Sequence, residues 1–238
     1  MGVEEFNRQF GKLKLIAEMG GARNIIQRSA AADSVVEAIV QEESRGYDAI
    51  FAGASRLTPR ENLGGAVLRE TVAAAPSPVV ITRHVGSTTP FRRVLTPVTG
   101  AQSSRLGATV AILYGLSTGA TVTALHIEDI RTLDRPLDRW RSDVPATSGE
   151  GEQFVAEIRQ LGKQLGLEVR TLVDASPQPE KTIVRTAAEG NYDLLIMGVT
   201  FRSADHRLYF GPKVEHILSE ARCAMAVVVP PDPTLSRS

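Results

Sequence analysis

The chain has 238 residues, with 27 Lys and Arg balanced by 27 Asp and Glu, one cysteine and 42% apolar residues. Zero net charge argues against a dedicated nucleic-acid binder, which carries a basic excess, and a single cysteine excludes both a disulfide framework and a CxxC metal site. The apolar fraction is that of a globular protein with a buried core, so wholesale disorder is excluded too, and the length allows one or two domains.

The start, Met1-Gly2-Val3-Glu4-Glu5-Phe6, is acidic and lacks the apolar segment of a secretory signal. A helix is expected over Glu4–Met19, with Phe6, Phe10 and Leu13 on one face, then a strand over Asn24–Gln27 and a helix over Asp33–Glu43. A strand follows within Tyr47–Gly53, a helix over Gly65–Ala74 and a strand over Val79–Thr82. The second half opens with a strand over Arg93–Val98 and a helix from Ala101 to Leu116. Leu106–Ile127 holds no charged residue over 22 positions, which is the length of a bilayer span. Its Gly107, Gly115, Ser117 and Gly119 dilute the apolar density that insertion needs, so it reads as a buried helix, a glycine turn and a strand over Thr121–His126. Residues 129–150 read as a solvated loop. Then come an amphipathic helix Gly151–Leu165, a strand Glu168–Val173, a helix Pro179–Glu189 with proline in its first turn, and a strand Asp193–Met197. A helix Gly211–Ala221 and a strand Met225–Val229 complete the pattern.

The halves resemble each other. Tyr47-Asp48-Ala49-Ile50-Phe51-Ala52-Gly53 matches Tyr192-Asp193-Leu194-Leu195-Ile196-Met197-Gly198, and Ala75 to Ile81 matches Ala221 to Val227. Gly65 matches Gly211, and Phe6, Phe10 and Leu13 match Phe154, Ile158 and Leu161. Alternating strands and helices with continuous apolar strands imply an α/β fold, a doubly wound open parallel sheet. The expected organisation is a partial domain over 1–85 lacking its first two strands, a linker over 86–91, a complete domain over 92–232 and a tail over 233–238.

Pro97-Val98-Thr99-Gly100 after a first strand, Ser103-Ser104-Arg105, Tyr192-Asp193 leading to Gly198, and Ala221-Arg222-Cys223-Ala224-Met225 before the last strand together resemble the universal stress protein family. That resemblance implies an adenine nucleotide alpha hydrolase-like sheet of five parallel strands and a homodimer formed through the last strand. Tandem copies with Phe210-Gly211-Pro212 opening the last helix also resemble the cytoplasmic C-terminal region of bacterial monovalent cation:proton antiporters. This implies a non-enzymatic regulatory module on the cytosolic face of a membrane, with the transporter domain of the same parent chain as partner. The alternative is a free-standing tandem stress protein that binds ATP or AMP.

The family's ATP-binding members carry Gly-x2-Gly-x9-Gly-Ser/Thr after the fourth strand. Glycines admit a phosphate to the backbone, and the next helix offers free N–H groups. Here the spacing Gly198 to Gly211 survives, but Phe201 replaces the second glycine, Pro212 removes an N–H donor, and Thr99 stands where the family has an aspartate. The residues expected to meet a nucleotide are Thr99, Gly198, Thr200, Arg202, Ser203 and Gly211, with His206 and Arg207 in the same loop. ATP or AMP is the implied ligand. The first half's loop, Gly53-Ala54-Ser55-Arg56 with Gly64-Gly65, lacks the strands that would form an adenine pocket.

Gly115-Leu116-Ser117-Thr118-Gly119 fits the nucleophile-elbow pattern, but that motif needs a strand before it and a helix after it, the reverse of the order here. His84, His126, His206 and His216 have no metal-ligand spacing, and Cys223, just before a buried strand, reads as a packed small residue. No catalytic or metal residue is expected.

Overall fold

A computed structural model describes residues 26, 28, 32–54, 65–84, 90–130, 149–200, 202–204 and 207–231. The chain divides into two units, residues 1–34 and 35–238. The architecture below belongs to the second; the expected helix Glu4–Met19 and most of the strand Asn24–Gln27 lie outside the described residues.

In chain order the elements are α1 (Val35–Glu43), β1 (Ile50–Gly53), α2 (Ala66–Ala74), β2 (Val79–Arg83), β3 (Arg93–Pro97), α3 (Gln102–Thr118), β4 (Thr121–Asp129), α4 (Glu150–Leu165), β5 (Val169–Ser176), α5 (Pro179–Glu189), β6 (Leu194–Gly198), β7 (Arg202–Ala204), β8 (Arg207–Tyr209), α6 (Pro212–Glu220) and β9 (Ala224–Val229). Seven strands form one sheet in the order β1-β2-β9-β6-β3-β4-β5. Every pairing in it is parallel except β2 with β9. The fold is therefore the α/β sheet expected from the alternating elements. No helix among the described residues is long and apolar enough to cross a membrane.

The central strands are covered on both faces, which is why their sequences read as unbroken apolar runs. All six residues of β9 are buried. On one face Met225, Val227, Leu195 and Met197 pack with Phe210, Ile217 and Leu218. On the other, Ala226, Val228, Ile196 and Val94 pack with Ala108, Ala111 and Ile112 of α3 and Val155 and Ile158 of α4. Helix α3 ends where Gly119 adopts a left-handed conformation (φ 72°) and its N–H donates to the Gly115 carbonyl at 2.9 Å. The Gly115–Gly119 segment is thus a helix terminus followed by a strand.

Asp193 ties the two parallel strands at the centre. Its carboxylate accepts the N–H groups of Arg92 (2.8 Å) and Arg93 (2.9 Å), fixing the start of β3 beside the start of β6. Tyr192 lies under the Arg93 guanidinium at 5.4 Å.

The halves meet through β2 and β9. The antiparallel register pairs Ile81 with Val227, the two residues that the sequence similarity aligns. Arg83, at the end of β2, crosses to the other half and donates to the Leu218 (2.7 Å) and Ala221 (2.6 Å) carbonyls at the end of α6. Both edges of β9 are consequently occupied within the chain, by β2 and by β6. The outer edge of β1 pairs with no strand among the described residues, and Phe51 on that strand is 70% exposed.

Some boundaries differ from those expected, and the strand expected over Glu168–Val173 runs from Val169 to Ser176. The strand over Thr121–His126 continues to Asp129, because β5 pairs with it as far as Asp129 against Ser176. The stretch after Gly198, expected as an open loop, contains a small antiparallel hairpin of β7 and β8.

Candidate functional site

In an open parallel sheet a crevice forms at the carboxyl ends of the strands, where the chain reverses its direction of winding. Here β3 leads to β4 on one side and is flanked by β6 on the other. A cavity of about 410 Å³ lies at that point, lined from the ends of β3, β4 and β6 and from α4, α5 and α6. Pro97, Ile127, Phe154, Ile183, Met197 and Ile217 give it apolar walls.

Its polar groups come mainly from the end of β4. His126 is buried, with Nδ1 2.8 Å from the Val98 carbonyl. A carbonyl only accepts, so Nδ1 carries the proton and donates it. The ring packs against Phe154 at 5.4 Å. Glu128, two residues on, points to the same face of the sheet. It is 7% exposed, and neither carboxylate oxygen has a hydrogen-bond partner among the described residues. Gly151, in the first turn of α4, makes this arrangement possible: a Cβ there would overlap the His126 ring and lie 3.2 Å from Glu128 Oε1. On the other face Asp129 pairs with Lys213 of α6 at 2.6 Å. Glu150 and Glu180 also line the cavity, and Glu180 Oε2 is likewise buried without a partner among the described residues. Among the described lining residues four carboxylates face one lysine.

Two of the six residues expected to hold a nucleotide, Thr99 and Gly198, line this cavity. Thr99 organises the turn before α3: its N–H donates to Ser104 Oγ at 2.8 Å and its Oγ1 accepts the Ala101 N–H at 3.3 Å. Gly198 has a packing role, since a Cβ on it would overlap the Ser103 carbonyl, and one on Gly107 would overlap the Gly198 nitrogen. Strand β6 and helix α3 thus touch backbone to backbone. Thr200 is exposed and lies outside the lining. Gly211 caps α6 at φ −66° and ψ 159°, a conformation open to any residue, and it too lies outside the lining. Arg202 and Ser203 sit in β7, opposite Tyr209 and Leu208. That segment pairs with a neighbouring strand instead of forming an open cradle of glycines. Phe201 and His206 lie outside the described residues.

Sequence reasoning missed His126, Glu128, Asp129, Glu180 and Lys213. The signal was present in the alternation of β4. Continued past His126, it sets Glu128 on the face of Val122 and Ala124 and Asp129 on the face of Leu125. No group of three or more His, Cys, Asp or Glu suited to a metal occurs among the described residues. Burial pushes the Cys223 thiol above its usual pKa, with the nearby Arg83 charge opposing part of that rise.

Known proteins give a consistent picture. The model of the universal stress protein family matches residues 90–229. A universal stress protein of Methanocaldococcus jannaschii is 24% identical over 144 residues, covering 59% of this chain and 84% of that protein. A universal stress protein structure from Archaeoglobus fulgidus superposes with a TM-score of 0.63 at 18% identity, covering 94% of this chain and 77% of the other. Universal stress protein UspA of Lactobacillus plantarum gives 0.50 at 22% identity, over 60% of this chain and 99% of its own. With the family's pattern spanning more than half of its length, the chain belongs to the universal stress protein family.

Proposed function

We propose that the chain is a non-catalytic, ligand-sensing regulatory module whose sensor is the cavity at the ends of β3, β4 and β6. The observation that carries this reading is the cavity's position: about 410 Å³ at the topological switch point, with apolar walls and a few convergent polar groups. Its size suits a nucleoside or a ligand of similar bulk, so adenosine, AMP and ATP are the first candidates. The phosphate side favours the smaller ones. Pro212 starts α6 without an N–H, the β7–β8 hairpin occupies the stretch before it, and carboxylates outnumber cations in the described lining. The hydroxyls at the cavity support binding over catalysis, since Thr99 and Ser104 are engaged with each other and with the turn before α3.

The direct alignment of Ile81 with Val227 across the β2–β9 ladder supports reading the halves as tandem copies joined as a symmetric pair would be. A homodimer would then use a surface other than the last strand, whose edges are filled. Ligand binding regulates a partner by favouring one arrangement of these halves. The edge of β1 that pairs with no strand among the described residues favours a parent chain that supplies a further strand, because its equivalent β6 is flanked by β3 on the corresponding side. A cation:proton antiporter is the parent we propose, with the module on its cytosolic face.

Amide-resolved NMR titration with adenosine, AMP, ATP and a panel of neutral and cationic amines tests the sensor. Shifts at Thr99, Ile127, Gly198 and Val199 with at least one ligand, and no phosphate release from ATP, are expected. Silence at those amides with the whole panel refutes it. Coding sequence for membrane helices upstream of Met1 is expected for the antiporter parent; an in-frame stop directly upstream refutes that part.

A further inference from the structure

The feature of the cavity that the fold does not explain is Glu128. A carboxylate taken out of water without a partner costs several kcal/mol, so native proteins pair such groups. Here the side chain is 7% exposed and both oxygens are buried without a hydrogen bond among the described residues. The sheet does not require it, because β4 and β5 pair through their backbones at this position. The adjacent start of α4 offers the positive end of a helix dipole, but that helix already carries Glu150 and Glu152 in its first turn. His126, the neighbouring ring, commits its Nδ1 proton to Val98. Asp129 takes Lys213. Glu180, on the opposite wall, repeats the pattern with a buried Oε2 that has no hydrogen-bond partner among the described residues.

Resting on the reading of this cavity as a ligand site, we propose that it takes a small organic cation whose ammonium or guanidinium head pairs with Glu128. The chemistry is direct. A cationic N–H group supplies both the charge and the donors that the two oxygens lack, and such charge-assisted bonds are the strong ones. The apolar walls, with Phe154 at the His126 side, receive the hydrocarbon or ring of the ligand. An anion meets the opposite conditions: its negative charge faces Glu128, Glu150 and Glu180, with the one lysine of the described lining already engaged.

Benzylamine and benzyl alcohol test this cleanly, since they share size and ring and differ in charge at pH 7. Agmatine serves as a guanidinium probe and AMP as the anionic comparison. In NMR titrations of the whole chain, benzylamine should bind at least tenfold more tightly than benzyl alcohol, with shifts centred on Ile127, Glu128, Gly151 and Phe154. Glu128→Gln keeps the shape and removes the charge, and should bring the two ligands within threefold. Should that variant fold poorly, Glu180→Gln and the shift map in the unaltered protein decide: a several-fold loss of benzylamine affinity and the stated shift pattern are expected. Equal binding of benzylamine and benzyl alcohol, or a preference that survives both substitutions, overturns the proposal. AMP binding at these amides without any binding of benzylamine or agmatine overturns it while leaving the cavity a ligand site. No binding by any of the four removes the ligand site itself.

Discussion

Arg83 is where the two halves of the sheet are most open to test. It leaves the end of β2 and delivers one guanidinium nitrogen to the Leu218 carbonyl at 2.7 Å and the other to the Ala221 carbonyl at 2.6 Å. These carbonyls belong to the last turn of α6, where helix geometry leaves C=O groups without intrahelical partners and the dipole is negative. Each hydrogen bond to a charged group contributes about 1.5–3 kcal/mol. Against that stands desolvation, which lowers the guanidinium pKa and is only partly offset by the neighbouring Cys223, and water can reach the freed carbonyls of a half-buried site. A net loss of about 2 kcal/mol is expected for Arg83→Met, a change that keeps the aliphatic stem and removes the fork. For a domain of this size that corresponds to a fall in Tm of roughly 4–8 °C. Urea unfolding followed by far-ultraviolet circular dichroism gives the free energy directly, and a reduced m-value would show β1 and β2 loosening ahead of the rest. Arg83→Lys, which keeps the charge but not the two-pronged geometry, should fall between. A loss below about 0.5 kcal/mol in Arg83→Met, the size of an ordinary surface substitution, would refute the assignment of Arg83 as the link between halves.

Asp193→Ala removes the acceptor for two backbone N–H groups and should cost about 1–2 kcal/mol in urea unfolding, while its sequence equivalent Asp48, exposed and without such a bond among the described residues, should change stability by less than about 0.5 kcal/mol when replaced by alanine. Gly198→Ala and Gly107→Ala each force a methyl group into facing backbone and should cost about 3 kcal/mol or more, or abolish folded protein on expression; normal melting of either would contradict the backbone contact between β6 and α3. Cys223 should alkylate slowly with iodoacetamide at pH 8. Burial raises its folded pKa, so the associated stability is present below the unfolded value of about 8.5 and is lost as pH rises through the folded value. Alkylation as fast as that of a free thiol at pH 8 would refute this, and Arg83→Met should slow it further, because the Arg83 charge favours the thiolate.

What was legible in the sequence follows from where each signal originates. Strands covered on both faces leave a one-dimensional trace, so β3, β4, β6 and β9 appear as apolar runs, and the α/β class follows from their alternation with helices. The join between halves left a fainter trace. Ile81 and Val227 align by local similarity, but only the register shows that they pair with each other, because antiparallel pairing joins residues far apart in sequence and no local pattern encodes it. The site is less legible, for a specific physical reason. The Gly198–Gly211 spacing resembles a phosphate-binding motif weakened by Phe201, Pro212 and Thr99, yet a glycine answers to whatever approaches its Cα. At Gly198 that is the backbone of Ser103, and at Gly151 it is the ring of His126. The same residue type therefore marks a packing contact in one place and the wall of the cavity in another, and spacing alone does not separate the two. Glu128 escaped notice for the opposite reason. A charged residue past an apparent strand end reads as solvated, and only the continued pairing with β5 carries it into the interior. Such a charge is costly without a counterpart. Two arguments, the backbone account of Gly198 and the lack of a partner for Glu128 among the described residues, thus favour the end of β4 over the loop after β6 as the ligand site we propose.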